Sequence, residues 1–192
     1  MKILKNIFAQ LHRFVFWALI LTLFWSWIYS FVGDTTRDKK IILYVDAYDV
    51  DQEGLSFRLE DAGLPEGIKL VQVRSFADQL FSSTLDGDIY IIRESLLRAS
   101  LEETPEKQCA IQLPTELPCY EWEGQRWALL VFDAAAQSGP ARDCILYSPL
   151  NQPETENYYL SFDAQSLHLQ GNPGAIDNAA WELAMKLLAM DD

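Results

Sequence analysis

The sequence predicts an α/β domain that follows one membrane-spanning helix. Residues 40–93 alternate between short runs of β-branched and aromatic residues and segments with helical spacing. That order builds a parallel sheet with helices on its faces. Residues 14–32 contain no charge, no Pro and no Gly. We therefore expect a single three-layer domain with a mixed, mainly parallel sheet, preceded by a transmembrane helix.

The apolar stretch Phe14–Val32 has the length of a signal anchor. As a helix it is about 28 Å long, close to the hydrocarbon thickness of a bilayer. A cleaved secretory signal is the alternative, and it requires small residues at the cleavage site. The stretch ends in mostly bulky residues, although cleavage after Ser30 stays open.

Basic residues orient this anchor. Lys2, Lys5 and Arg13 precede it, whereas no acidic residue does, so the positive-inside rule places the N-terminus in the cytoplasm. The remainder carries 28 acidic and 12 basic residues, a net charge of −16, and is a poor partner for nucleic acid. We expect a single-pass protein of the cell membrane in four parts: a cytoplasmic segment 1–13, a transmembrane helix 14–32, a linker 33–39 and an extracytoplasmic domain 40–192.

The first half of the domain shows strand and helix signals in alternation. Lys40–Val50 begins with a continuous apolar β-branched run, which predicts a central parallel strand covered on both faces. Gln52–Ala62 has helical spacing, and Gly63 is placed as its C-cap. Ile68–Val73 is the second predicted strand.

Capping residues mark the next elements. Ser75 and Asp78 form a capping box for a helix that ends before Gly87. Asp88–Arg93 is the third predicted strand. Ser95 is then expected to cap a short helix.

The second half is broken by prolines and predicts antiparallel pieces. Cys119–Trp122 and Gln125–Phe132 flank Glu123-Gly124, which is a hairpin signal. Further strands are expected at Cys144–Tyr147 and Tyr158–Phe162.

A terminal helix is expected from Asp177. Ile176 and Trp181 occupy the positions of a hydrophobic staple. The predicted inward stripe consists of Trp181, Ala184, Met185 and Leu188.

The three cysteines form an odd set without metal-binding spacing. Outside the cell, one disulfide and one free thiol are compatible with this set, with Cys109 and Cys119 nearest in sequence. Three unpaired thiols, including Cys144, are the other interpretation.

The order of these segments resembles the first lobe of the type 2 periplasmic, or extracellular, solute-binding proteins of ABC importers. The resemblance is carried by KIILYVDAY, GIKLVQV, DGDIYIIRE, the hairpin YEWEGQRWALLVF and the returning ENYYLSF, and covers roughly Lys40–Met190. Only 25 residues, Asp133–Asn157, stand where family members insert a second lobe. One lobe offers half a cleft, so tight capture of a free solute by one chain is unfavourable.

The resemblance implies a membrane-tethered binding or interaction module that acts with a membrane partner such as an ABC transporter permease. Two alternatives are a solute receptor that completes its cleft by dimerisation and a calcium-binding ectodomain. We do not expect an enzyme or a cofactor. The domain holds a single histidine, His168, and no nucleophile elbow, P-loop or dinucleotide motif.

Candidate binding residues follow the predicted strands, because ligands of open α/β sheets lie beyond the carboxyl ends of the strands. Tyr48 offers a stacking face there, while Ser75, Arg93 and Glu94 offer hydrogen bonds. Each also has an ordinary structural interpretation, as a loop aromatic, a helix cap or a surface ion pair.

A calcium-loop spacing overlaps the first strand end. Asp49, Asp51, Glu53, Gly54 and Glu60 form a D-x-D-x-E-G-x5-E string. The competing interpretation is that Asp51 and Glu53 stabilise the first turn of a helix through its dipole.

Overall fold

The computed structural model describes residues 11, 13–26, 35–76, 86–108, 110–111, 116–149 and 152–190. They belong to two compact units, Met1–Thr36 and Arg37–Asp192. The second unit begins three residues before the predicted domain start at Lys40. Cys109, most of the helix predicted after Ser75 and residues 27–32 of the predicted anchor lie outside the described residues.

The first unit contains a helix, α1, over residues 13–26. Its apolar side chains are exposed, with Phe14 at 80% and Trp25 at 63%. The Thr22 hydroxyl donates to the Ala18 carbonyl at 2.8 Å, so its polarity is satisfied within the helix. Among the helices in the described part of the chain, none has both the length and the apolarity needed to span a bilayer.

The second unit is built on a six-stranded mixed sheet. Its strands are β1 (Lys40–Val45), β3 (Leu70–Ser75), β4 (Ile89–Arg93), β5 (Cys119–Trp122), β6 (Gln125–Phe132) and β8 (Tyr158–Phe162). A separate two-stranded ribbon pairs β2 (Asp49–Val50) with β7 (Ile145–Leu146). The helices are α2 (Gln52–Asp61), α3 (Glu94–Glu103) and α4 (Ala179–Leu188), with short 3-10 turns at Arg37–Lys39 and Pro105–Lys107.

The strand order is β3-β1-β4-β8-β6-β5. β1 lies between β3 and β4 and is parallel to both, as predicted for a central strand. β8 is antiparallel to β4 and β6, and β5 is antiparallel to β6. The sheet is therefore mixed, as expected, but parallel pairing covers only the β3-β1-β4 half of the described strands.

Helices cover both faces of the sheet, which gives three layers. Alternate residues of a strand point to opposite faces. On one face Ile41 and Leu43 of β1 belong to the same buried cluster as Leu55 of α2 and Leu183 of α4. On the other face Ile42 and Tyr44 share a smaller cluster with Leu97 of α3.

Several element ends agree with local sequence signals. α2 begins after Asp51, whose carboxylate accepts the Gly54 N–H at 2.9 Å. Gly63 follows this helix with φ of 89°, as expected of its predicted capping role. In the β5-β6 hairpin Glu123 and Gly124 both have positive φ, 52° and 78°, which is the backbone pattern of a type I′ turn.

Other element ends differ from the sequence prediction. Ser95 is not a cap, because β4 continues directly into α3 and Arg93 occupies the N-cap position, where its side chain forms no capping hydrogen bond. β3 runs to Ser75 because each residue of β1 from Lys40 onward has a partner in it. The strand predicted at Cys144–Tyr147 is only the two-residue β7, paired outside the main sheet.

The predicted register of α4 is wrong. Ile176 is 56% exposed and forms no staple. The buried residues are Ala179, Ala180, Leu183, Ala184 and Leu187, while Trp181, Met185 and Leu188 lie at the margin of the core. Alanines on the inward face let the helix approach the sheet closely, so the buried stripe is rotated by about one residue from the predicted one.

Candidate functional site

A cleft of about 680 Å³ lies where the carboxyl ends of β4 and β6 meet the start of β8. These ends share one edge of the sheet because β8 is antiparallel to both neighbours. The volume is within the range of small-molecule sites. Three segments line the cleft: Glu94, Ser95 and Arg98 of α3; Ala134 and Ala135 after β6; and Glu154, Thr155, Glu156 and Asn157 before β8.

Of the four predicted binding residues, Glu94 lines this cleft. Tyr48 is 63% exposed in the loop after β1, and Ser75 ends β3, so both lie away from the cleft lining. Arg93 is next to Glu94 in sequence, but its guanidinium is engaged elsewhere.

Arg93 forms an ion pair with Asp46 between the ends of β4 and β1. Its Nε and Nη2 atoms donate to the two carboxylate oxygens of Asp46 at 2.8 and 3.0 Å. The hydrogen bonds with Asp46 raise the pKa of Arg93. In open α/β sheets ligands bind in the crevice at such strand ends. Here the ion pair occupies that position, and the open cleft lies on the β6 side of β4.

The Glu94 carboxylate is held by two donors. One oxygen accepts from Arg98 Nη2, one helical turn away, and the other accepts from Asn157 Nδ2, both at 3.3 Å. Arg98 Nε also donates to the Tyr120 hydroxyl at 3.4 Å, and this contact raises the pKa of Arg98. The charged groups on the α3 wall are therefore oriented by neighbours on other elements.

Gln137 connects the two loop walls of the cleft. Its amide pairs with the backbone of Glu154: Nε2 donates to the carbonyl at 2.8 Å, and Oε1 accepts the N–H at 3.1 Å. Nε2 also donates to the Ala134 carbonyl at 2.5 Å. Gln137 has φ of 52°, an unfavourable value for a residue other than Gly. The bonds made by its side chain hold this conformation in place.

Asn157 connects the third wall. Its Oδ1 accepts the Ala134 N–H at 3.0 Å, and its carbonyl accepts the Glu94 N–H at 2.9 Å. Together with the bond from Nδ2 to Glu94, these contacts join α3, the β6 end and the β8 start. The cleft is thus formed by the protein itself before any ligand arrives.

Glu156 occupies the N-terminus of α3. Its Oε2 accepts the Ser95 N–H at 3.1 Å. The Ser95 hydroxyl, and to a smaller extent this N–H, lower the pKa of Glu156. Helix N-termini favour anions. The chain supplies that anion itself, so the cleft presents carboxylates rather than free amides.

The residues of the calcium-like string make local backbone bonds. Asp51 caps α2, and Asp49 Oδ1 accepts the Val50 N–H at 2.9 Å. Glu53 and Glu60 are exposed on α2. Within the described ranges, no three His, Cys, Asp or Glu side chains come together as a metal ion would require. Asp51 is therefore the N-cap of α2, and Glu53 and Glu60 are residues of the helix itself.

Two of the three cysteines lie in the described ranges, and both are thiols. Cys144 is buried, and Cys119 is partly buried. Burial raises the pKa of each thiol. Both are therefore expected to stay protonated and weakly reactive at neutral pH.

Trp122 and Trp127 of the hairpin are packing residues. Both lie against the buried cluster on the α3 face of the sheet. The Trp127 indole N–H donates to the Trp122 carbonyl at 3.2 Å. They brace the hairpin and do not line the cleft.

Comparisons of the chain with protein-family models, curated proteins and solved structures each found no match.

Proposed function

We propose that this protein is a membrane-tethered, extracytoplasmic binding module. Residues 14–32 hold it in the membrane, and the cleft between α3, the β6 end and the β8 start is its contact face. The observation that carries the proposal is the preformed cleft, whose three walls are joined by Gln137 and Asn157. A preorganised site loses less conformational entropy on binding than a site that must order its loops.

The charge of the cleft indicates the kind of partner. Among the described residues that line it, Glu94, Glu154 and Glu156 are acidic and Arg98 is the single cation. A partner surface that places a Lys or Arg side chain in the cleft would compensate this negative charge. We expect a basic segment of a membrane protein, such as an ABC transporter permease.

The fold is compatible with the resemblance to one lobe of a solute-binding protein. After the hairpin the chain leaves the sheet for Asp133–Asn157 and returns as β8, which inserts antiparallel between β4 and β6. This short excursion stands where the resemblance expects a second lobe. Small-molecule sites bury most of their ligand. A single lobe is therefore better suited to a protein surface than to a free solute.

Site-specific photo-cross-linking in cells tests this proposal. A photoreactive amino acid replaces Thr155, which lines the cleft, in the full-length chain. The control replaces Glu66, an exposed turn residue before β3 and so at the opposite end of the sheet. We expect adducts with an integral membrane protein from position 155 at a yield several-fold above that from position 66.

Each other result of this experiment has a defined meaning. Equal yields from both positions, or no adduct from position 155, would contradict a contact role for the cleft. Adducts between two copies of the chain would favour the receptor that completes its cleft by dimerisation.

A further inference from the structure

The Arg98 side chain joins the cleft to the β5-β6 hairpin. Its Nη2 atom donates to Glu94 Oε1 at 3.3 Å, and its Nε atom donates to the Tyr120 hydroxyl at 3.4 Å. Glu94 lines the cleft, whereas Tyr120 belongs to β5 and does not. The guanidinium therefore has one contact inside the cleft and one outside it.

Both contacts of Arg98 are weak. They are longer than the usual N–H···O distance of about 2.9 to 3.0 Å. The Arg98 side chain is also 53% exposed, so solvent screens its attraction to Glu94. Arg93, on the other side of Glu94 in sequence, is held at 2.8 and 3.0 Å by both oxygens of Asp46. Of these two arginines, Arg98 is the one that can leave its acceptor at low cost.

Glu94 keeps its orientation when Arg98 leaves. Its second oxygen accepts from Asn157 Nδ2 at 3.3 Å. Asn157 is fixed in turn, because its Oδ1 accepts the Ala134 N–H at 3.0 Å and its carbonyl accepts the Glu94 N–H at 2.9 Å. Displacement of Arg98 therefore exposes an oriented carboxylate oxygen to the cleft.

The other two carboxylates of the lining are bound by backbone N–H groups. Glu154 Oε1 accepts from the N–H groups of Thr155 and Glu156 at 2.8 and 3.1 Å. Glu156 Oε2 accepts the Ser95 N–H at 3.1 Å, and Arg93 adds a smaller attraction. Among the described lining residues, Glu94 is the acid that a cation of the lining pairs with.

We propose that Arg98 is an autoinhibitory cation that occupies the place of a partner's Lys or Arg side chain beside Glu94. This inference rests on the proposed function, since it specifies how the same cleft admits its partner. An incoming cation takes over Glu94, while Arg98 remains attached to Tyr120 outside the cleft. Arg98 thus selects for strongly basic segments, which alone compete well with the cation already present.

A defined basic peptide tests this competition without the natural partner. The purified full-length chain carries a photoreactive amino acid at position 155 and is held in nanodiscs of neutral phosphatidylcholine. Adduct yield is measured against the concentration of biotinylated tetralysine. Arg98→Met should lower the half-saturating concentration about three- to fivefold, the effect of removing one exposed ion pair.

Two further variants separate competition from other effects of the substitution. Arg98→Lys keeps a cation within reach of Glu94 and should restore the wild-type value. Lys69→Met removes the same charge from an exposed position before β3, at the opposite end of the sheet, and should change nothing. At about 1 M salt, where charges are screened, the difference between Arg98→Met and the wild type should disappear.

Each outcome decides the proposal. An unchanged or higher half-saturating concentration for Arg98→Met, or no adduct from either chain, would overturn it. A gain of equal size from Lys69→Met, or a gain that persists at high salt, would overturn it as well. Failure of the proposed function is read separately, because it appears as missing membrane-protein adducts from position 155 in cells while tetralysine still distinguishes the variants.

Discussion

Burial gives two nearby carboxylates different roles. Asp86 and Asp88 both lie close to Arg37, at 3.6 and 2.6 Å. The Asp86 side chain is 81% exposed, so solvent screens its attraction to the guanidinium. Asp88 has no solvent contact and depends entirely on its protein donors. We therefore expect Asp88 to stabilise the domain much more than Asp86, although both carboxylates lie close to Arg37.

Asp88→Asn should destabilise the domain by about 3 to 5 kcal/mol, because it leaves Arg37 without its buried partner and replaces an acceptor oxygen with an amide. Asp86→Asn is the matched control and should change the free energy of unfolding by less than about 1 kcal/mol. Urea denaturation followed by circular dichroism measures both. Equal changes in the free energy of unfolding for the two substitutions would mean that the buried contacts of Asp88 do not stabilise the domain.

The role of Asp88 could not be predicted from the sequence. It was predicted only as the first residue of a strand. Its partners Arg37, Ile42 and Ser166 are 51, 46 and 78 residues away. No local spacing marks such contacts, because they arise only when three distant segments meet in the folded sheet.

Elements with a strong local signal were predicted with correct bounds. The β5-β6 hairpin was expected at Cys119–Trp122 and Gln125–Phe132, and the structure has these bounds. Two-residue turns are specified by their own residues, since both central positions require positive φ. Gly124 meets this requirement, whereas Glu123 adopts φ of 52° at a steric cost.

Glu123→Asn should therefore stabilise the domain by about 0.5 to 1 kcal/mol, because Asn tolerates the left-handed region better than Glu. Gln125→Asn is the control at an exposed strand position and should give no gain. Thermal unfolding monitored by circular dichroism is a suitable measurement. A lower melting temperature for Glu123→Asn would argue against a strained turn.

Elements whose position depends on packing were predicted less well. α4 is apolar on more than one face, so its sequence was compatible with two registers that differ by one residue. The small side chains of Ala179 and Ala180 select the observed register by allowing close contact with the sheet. Ser95 was mistaken for a cap because its spacing resembles one, whereas Arg93 occupies that position.

The candidate site was predicted only in part, for the same reason. Glu94 was found because functional side chains follow strand ends. Gln137, Glu154, Glu156 and Asn157 were missed, since they lie in or beside loops without periodicity. Gln137 pairs with Glu154 across 17 residues, and no local signal indicates that pairing.

Removal of the Gln137 side chain should loosen the cleft. Gln137→Ala deletes its bonds to Glu154 and Ala134 and should destabilise the local structure by about 1 to 3 kcal/mol. Gln137→Gly deletes the same bonds but relieves the positive φ, so it should be about 1 kcal/mol less damaging. Hydrogen exchange at the Glu154 amide reports the difference. If the Ala variant is no less protected than the wild type, Gln137 does not hold the loops together.

At the scale of the whole molecule, the proposed function depends on where the domain is located. In the proposed function, residues 14–32 remain as an uncleaved anchor and keep the domain and its cleft close to membrane partners. Only residues 33–36 separate the proposed anchor from Arg37, so we expect a partner in the same bilayer. The proposed function therefore requires first that the domain stays attached to the outer side of the membrane.

Protease treatment of sealed cells that express the full-length chain tests this requirement most directly. After digestion from outside, mass spectrometry of the carbonate-washed membranes identifies the part of the chain that is protected. We expect an N-terminal fragment that begins at Met1 and contains residues 14–32, with the domain removed by the protease. A chain that begins after Ser30, or a chain released by carbonate, would contradict the anchored location.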